Sequence, residues 1–204
     1  IMNVSEKLRR MVLTAIFAAI IIIMTFVPYL GYIPLGFINA TLIHIPVIIG
    51  AILLGSKIGG ILGAVFGLSS LIKNTFQPNL TSFCFSPFYS GGNLWSLVIC
   101  LVPRILGGVF AYYAFRGCYR LFARGSKKTA GEMVSLVIAG AVGSMTNTLL
   151  VMHMIYLFFG EACGAATGKA TYAAILAVIG TSGVGEAIVA AILTAAICKV
   201  MLHI

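Results

Sequence analysis

The chain has 204 residues, of which 61% are hydrophobic and 8% charged, with a mean hydropathy of +1.12. A soluble domain carries about a quarter charged residues, and disorder needs low hydrophobicity, so both classes are excluded and an integral membrane protein is indicated. The balance is 13 Lys plus Arg against 4 Asp plus Glu. These basic residues flank apolar runs, where membrane topology puts them, so the excess reads as orientation in a bilayer and no nucleic-acid partner is expected. A crossing helix needs about 20 residues, so the length holds about six of them and leaves no room for a soluble catalytic domain.

In chain order, the first apolar segment runs from Leu8 to Val27. It is too long for the core of a signal peptide and has no small-residue cleavage site, so a membrane helix is predicted. Pro28, Gly31, Pro34 and Gly36 then break the pattern into a loop. A second helix is expected from Phe37 to Leu54, a turn at Gly55-Ser56-Lys57, and a third helix from Ile58 to Ile72, short for a full span. Lys73 to Gly92 is polar and aromatic with Pro78 and Pro87, a length typical of binding loops and lids. The fourth helix is predicted over Asn93 to Phe115 with Pro103 as its kink point. Arg116 to Lys128 is basic, the fifth helix covers Glu132 to Phe159, Gly160 to Lys169 is a loop of small residues, and the sixth helix covers Thr171 to Leu202. The fold class is an all-α membrane protein: residues 1–204 form a single domain of six transmembrane helices.

Placing the N-terminus inside puts Lys7, Arg9, Arg10, Lys57, Arg116, Arg120, Arg124, Lys127, Lys128 and Lys199 on the inner side. Only Lys73 and Lys169 fall outside, and Arg104 lies within a helix. This asymmetry predicts cytoplasmic N- and C-termini. Of the cysteines, Cys84, Cys100, Cys118, Cys163 and Cys198 form no C-x-x-C and no metal-ligand spacing with a histidine. They read as small packing residues, with a Cys84–Cys163 disulfide conceivable if both loops lie outside.

Two small-residue patterns stand out. Gly55, Gly59, Gly63 and Gly67 recur every fourth residue, a stripe that lets helix backbones approach closely in lipid. Ala15 and Ala19 have the same spacing on the first helix, and packing within the chain and docking of a partner helix are both open there.

An ionisable group in a membrane helix costs about 2.5–3.5 kcal/mol on insertion scales and therefore needs a reason. His44, Arg104, His153 and Glu186 are such groups. At about 1.5 Å per residue, counted from the outer ends, His44 and His153 lie about 10 Å deep, Arg104 about 16 Å, Asn147 about 18 Å and Glu186 about 22 Å. Asn39, Asn74 and Trp95 lie near the outer mouth. The expected site is an outward-open polar pocket holding Asn39, His44, Asn74, Trp95, Arg104, Asn147 and His153. Arg104 offers a planar fork suited to a carboxylate; the alternative is an Arg104–Glu186 pair stapling the fourth helix to the sixth. For the two histidines, helix–helix hydrogen bonds and ligand contact are both open. The aromatics Phe83, Phe85, Phe88, Tyr89 and Trp95 fit an interface belt or a ligand cover.

Catalysis is not expected. Gly180-Thr181-Ser182-Gly183 matches the G-x-S-G of intramembrane rhomboid proteases, but only His203 follows it as a base. Lys169 is followed by Ala170 and position 163 is Cys, so no phosphate-binding G-x-x-x-x-G-K-[ST] exists. No cofactor or metal is expected in this chain.

Six helices in this length, both ends inside, a basic loop between helices four and five, and the Ala15/Ala19 pair together resemble the S components of energy-coupling factor (ECF) vitamin importers. Thr41 to Ala51 around His44-Ile45-Pro46, Phe85-Ser86-Pro87-Phe88 and Pro103-Arg104-Ile105 look like the pantothenate-specific branch. The resemblance implies a prokaryotic plasma-membrane protein that binds a vitamin from outside. It implies docking through Ala15 and Ala19 on a transmembrane coupling subunit, with two partner ATPase subunits hydrolysing the ATP. It also implies lids around Pro28 to Gly36 and Lys73 to Gly92. One buried cation suits a monoanion such as pantothenate. Other B vitamins (riboflavin, biotin, folate) and a stand-alone proton-coupled transporter remain alternatives.

Overall fold

The structure, a computed structural model, describes residues 4–27, 30–34, 39–78, 82–89, 91–123, 128–167 and 172–202. In order it contains helix α1 (Val4–Phe26), a two-stranded antiparallel hairpin of β1 (Tyr32–Pro34) and β2 (Asn39–Thr41), α2 (His44–Leu54), α3 (Ser56–Phe76), a 3-10 turn (Ser82–Cys84), α4 (Leu94–Phe122) and α5 (Lys128–Thr167). The last segment is α6 (Tyr172–Val178), a π turn (Ile179–Gly183) and α7 (Val184–Leu202). Among the described residues, 5 helices are long and apolar enough to cross a membrane, and His44–Leu54 is a shorter apolar helix.

Several expected boundaries move. The apolar pattern starts the second helix at Phe37, but the chain pairs Tyr32 with Thr41 and Pro34 with Asn39 before α2 begins. That leaves α2 only 11 residues long, about 16 Å. It is buried on almost every side and packs against α1, α3, α4, α5 and α7. A short helix at the centre of longer ones leaves the space above its N-terminus to the hairpin and to a pocket. Pro46 is tolerated in its first turn, where the missing N–H would have no helical partner. Gly55, at φ +103°, makes the turn into α3 without the clash a Cβ would bring there.

The third helix is a full span of 21 residues. Its last turns are polar, a composition that suggests a loop. Instead the side chains bond back into the helix: Thr75 Oγ1 donates to the Leu71 carbonyl at 2.8 Å, and Asn74 Nδ2 to the Ser70 carbonyl at 2.8 Å. The fourth helix continues into the basic stretch as far as Phe122, and the fifth into the expected small-residue loop as far as Thr167. Neither extension contains a proline, and alanine, leucine and arginine there are good helix formers.

The glycine stripe is a seam between α3 and α4. A Cβ on Gly63 would collide with the backbone of Arg104 and Ile105, and one on Gly67 would lie 2.7 Å from the Cys100 carbonyl oxygen. Gly108 makes the reciprocal approach, a Cβ there lying 2.6 Å from the Gly59 carbonyl oxygen. Cys100 Sγ donates to the Gly67 carbonyl at 3.1 Å across this seam, in keeping with a packing role. Cys163 lies outside the residues whose side chains are described, so the Cys84–Cys163 pairing does too.

At the other end of the bundle, an Arg10 side-chain N–H donates to the Leu54 carbonyl. This ties the basic start of α1 to the C-terminus of α2, opposite the hairpin.

Candidate functional site

Helix α4 carries the site's cation, and its proline explains how. Pro103 has no N–H, so the Ile99 carbonyl four residues earlier loses its helical donor. The Arg104 guanidinium takes that place, with Nη1 donating to the Ile99 carbonyl. This bond holds the guanidinium against the helix and beside the rings of Phe85, 5.0 Å from its centroid, and Phe66, 5.5 Å away. Both rings present faces that favour a cation. Arg104 is 8% exposed, and its Nε has no hydrogen-bond partner among the described residues.

A pocket opens on this side chain. Tyr32 of the hairpin and Thr41 beside α2 form one wall; Ser70 and Asn74 of α3 and Phe85 form the next. Asn147, Thr148, Val151 and Met152 come from α5, and Val178, Ser182 and Glu186 from the last helical segment. Tyr32 donates to Ser70 Oγ at 3.3 Å, and Ser82 Oγ donates to Asn74 Oδ1 at 2.8 Å. Hairpin and 82–89 loop are thus both fastened to the end of α3. The loop is further held by Ser96 Oγ, which donates to the Phe83 carbonyl at 2.8 Å.

Glu186 lines the same pocket but forms no ion pair with Arg104 among the described residues. Its carboxylate accepts from the Thr41 backbone N–H at 2.7 Å and from Thr148 Oγ1 at 3.3 Å. The expected alternative of an Arg104–Glu186 staple is therefore corrected. Glu186 ties α7 to the end of β2 and to α5, and Arg104 is left facing the pocket.

The expected site residues separate into groups. Asn74, Arg104 and Asn147 converge on the pocket. His44 lies in a smaller cavity that shares Arg104 and Asn147 with it. Trp95 does not line the pocket; it stacks on Phe158 with centroids 4.1 Å apart and planes 8° from parallel. His153 does not line it either. Its Nδ1 faces the Leu149 carbonyl at 2.8 Å and its Nε2 the Tyr172 hydroxyl at 3.4 Å, a link between α5 and α6. The Asn39 side chain lies outside the described residues. Of the aromatic run, Phe85 covers the site, Phe83 packs edge-on to Phe159, and Phe88 and Tyr89 are exposed.

Tyr32, Thr41, Ser70, Thr148 and Ser182 line the pocket without having been expected there. Helical angle was the available signal for two of them. Thr148 lies about 100° from Asn147, within a wide pocket-facing sector, and Ser182 precedes Glu186 by four residues, one helical turn away on the same face. The G-x-S-G match instead lies in the π turn, where Ser182 meets polar neighbours of a binding pocket.

Ala15 and Ala19 are both exposed on α1, between the exposed apolar side chains of Met11, Val12, Ile16 and Ile20. The buried side of the same helix carries Phe17, Ile21 and Thr25, and Thr25 Oγ1 meets Ser69 Oγ of α3 at 3.1 Å.

Residues 9–198 match the family described as the ECF transporter, substrate-specific component. The chain is 38% identical over 166 residues to the pantothenic acid transporter PanT of Lactococcus lactis subsp. cremoris, covering 78% of this chain and 76% of that protein. It is 29% identical over 209 positions to the pantothenate transporter PanT of Leuconostoc mesenteroides subsp. mesenteroides, covering 98% of this chain and 95% of that one. This chain, a multi-pass membrane protein, belongs to the family of substrate-specific components of ECF transporters.

Proposed function

We propose that the protein binds pantothenate from the outside and delivers it through an ATP-driven coupling module. The observation that carries this reading is Arg104: a buried guanidinium in a polar pocket, braced by the Ile99 carbonyl, with no carboxylate of the described residues paired to it. Pantothenate has one carboxylate, one amide and two hydroxyls. Its carboxylate lies against Arg104, a charge-assisted contact that the planar fork favours. Asn74, Asn147, Ser70 and Ser182 supply neutral donors and acceptors for the rest of the molecule, and the unused acceptor capacity of Glu186 suits its hydroxyls. Both relatives named as pantothenate transporters support the same substrate.

In this reading α2 is the sixth span, residues 1–204 act as one six-helix domain, and both termini lie in the cytoplasm of a prokaryotic cell. The basic residues near Arg10 and Lys57 mark the inner end, and the pocket opens at the opposite one. The exposed Ala15/Ala19 strip of α1 meets the transmembrane coupling subunit, and two ATPase subunits supply the energy. The chain itself needs no cofactor.

The test is labelled pantothenate binding to the purified protein in detergent. Wild type binds, and Arg104→Ala weakens binding by about 30-fold or more, the cost of stranding a buried charge partner. Unchanged binding in that variant overturns the carboxylate role, and no binding of any B vitamin by wild type overturns the reading.

A further inference from the structure

Beneath the pocket lies a second cavity, bounded by His44, Val47 and Ile48 of α2, Phe66 of α3, Gly107 and Gly108 of α4, and Gly143 of α5. Arg104 and Asn147 line both spaces. Three buried side chains that line it carry unsatisfied atoms. His44 faces the Thr41 backbone, but among the described residues neither of its ring nitrogens has a hydrogen-bond partner of normal geometry, and neither has Arg104 Nε nor Asn147 Oδ1. His44 is 3% exposed and Asn147 6%. Buried polar atoms left unpaired are expensive, and each such atom needs an explanation.

The cavity measures about 10 Å³, close to what a single water requires, and a buried water needs two to four polar partners. The bonding capacities match. Arg104 Nε–H can only donate, Asn147 Oδ1 can only accept, and a neutral imidazole offers one of each. These capacities allow one water to accept from Arg104, donate to Asn147 and close a third bond with His44. A halide would satisfy Arg104 but face the Asn147 oxygen with like charge. The remaining wall side chains are apolar, and three of the wall residues are glycines.

We infer that a single structural water in this cavity joins His44 to Arg104 and Asn147, and that His44 is a positioning residue for the substrate site rather than a ligand contact. The water fixes the rotation of the guanidinium about its Nε and the face of the asparagine amide, the two groups that reach into the pocket from α4 and α5. Ordering both in advance removes that cost from substrate binding. The role in binding rests on the pantothenate reading; the water itself does not.

The experiment therefore has two arms. In protein carrying 15N-arginine, the Arg104 Nε–H resonance, assigned by its loss in Arg104→Lys, shows a cross-peak to a long-lived water without any vitamin present. Val47→Ile adds one methyl to the cavity wall, leaves the three polar side chains in place and abolishes that cross-peak. In the second arm, His44→Leu and Val47→Ile each weaken pantothenate binding about tenfold, the loss of one hydrogen bond around a charged group, and His44→Gln recovers most of it. If His44→Leu does not fold, Val47→Ile carries the test. Absence of the cross-peak in wild type overturns the water, and wild-type affinity in Val47→Ile overturns the positioning role. A wild type that binds no pantothenate overturns the functional reading while the first arm still decides the water.

Discussion

Two stretches of this chain carry small residues at the same spacing and put them to opposite use. On α3, Gly59, Gly63 and Gly67 are turned inward and touch the backbone of α4. On α1, Ala15 and Ala19 are exposed among large apolar side chains. Spacing alone distinguishes nothing here; what differs is the demand on the Cβ. Gly63 and Gly67 lie so close to the α4 backbone that any side chain collides, and no rearrangement of rotamers relieves a clash with a carbonyl. The α1 positions are open on the surface, so their smallness has no internal cause. In a membrane, where apolar burial gives helices no reason to associate, the first arrangement builds a seam and the second leaves a flat strip free for another helix.

The seam gives the largest expected effect. Gly63→Leu places a side chain into the Arg104 backbone and is expected to prevent folding, read as loss of the monodisperse peak and of the thermal transition in detergent. Ordinary overpacking costs about 1–3 kcal/mol, but here the obstacle is main chain. Gly117, on the same helix as Arg104, gives the contrast, because none of the described residues lies within 4 Å of the place its Cβ would occupy. Gly117→Ala is tolerated and stabilises by up to about 1 kcal/mol through helix propensity. A folded, stable Gly63→Leu protein would mean that the seam is not close-packed.

The α1 strip sharpens the comparison from the other side. Ala15→Trp or Ala19→Trp leaves the thermal transition and vitamin binding of the isolated protein unchanged, because both side chains point away from the rest of the chain. Uptake by cells holding the whole transporter is abolished, since the bulky ring holds a partner helix away. Uptake that survives both substitutions would leave the strip as lipid-facing surface only.

Between these extremes stands Glu186, which shares the pocket with Arg104 and is satisfied by two protein donors. Glu186→Gln keeps an acceptor for Thr41 and so preserves the fold. It weakens pantothenate binding about tenfold, the value of a hydrogen bond to a charged acceptor, as read by isothermal titration calorimetry. Tighter binding in this variant would show that the acid opposes the substrate carboxylate and that Arg104 works against it.

The sequence was legible where one residue dictates its surroundings. Pro103-Arg104 placed a cation in α4, and the glycine stripe marked a helix contact before any partner was known. It was misleading where polarity stood for loop: Asn74 and Thr75 remain helical because their side chains find partners in the helix and across it. The hairpin from Tyr32 to Thr41 escaped notice because strands of 3 residues carry no readable alternation. Height along an axis was counted, from ends that moved for α2 and α5, and direction was not read. Counting residues from a helix end gives height along its axis, while the side chain turns by about 100° at each step.

That omission yields the smallest expected effects. Trp95 lies nine residues before Arg104 on α4, a rotation of about 180° at 3.6 residues per turn, so the two side chains leave opposite faces of one helix. His153 lies six residues after Asn147 on α5, about 240° around, and the same argument turns it away from the pocket. The contacts agree: Trp95 stacks on Phe158, and His153 meets Tyr172. Trp95→Leu is expected to lower stability by about 1 kcal/mol through the lost ring pair, and His153→Phe by no more, with pantothenate affinity changed less than about threefold in either. A large loss of affinity from one of them, with the thermal transition intact, would place that side chain against the substrate and require the helix carrying it to rotate on binding.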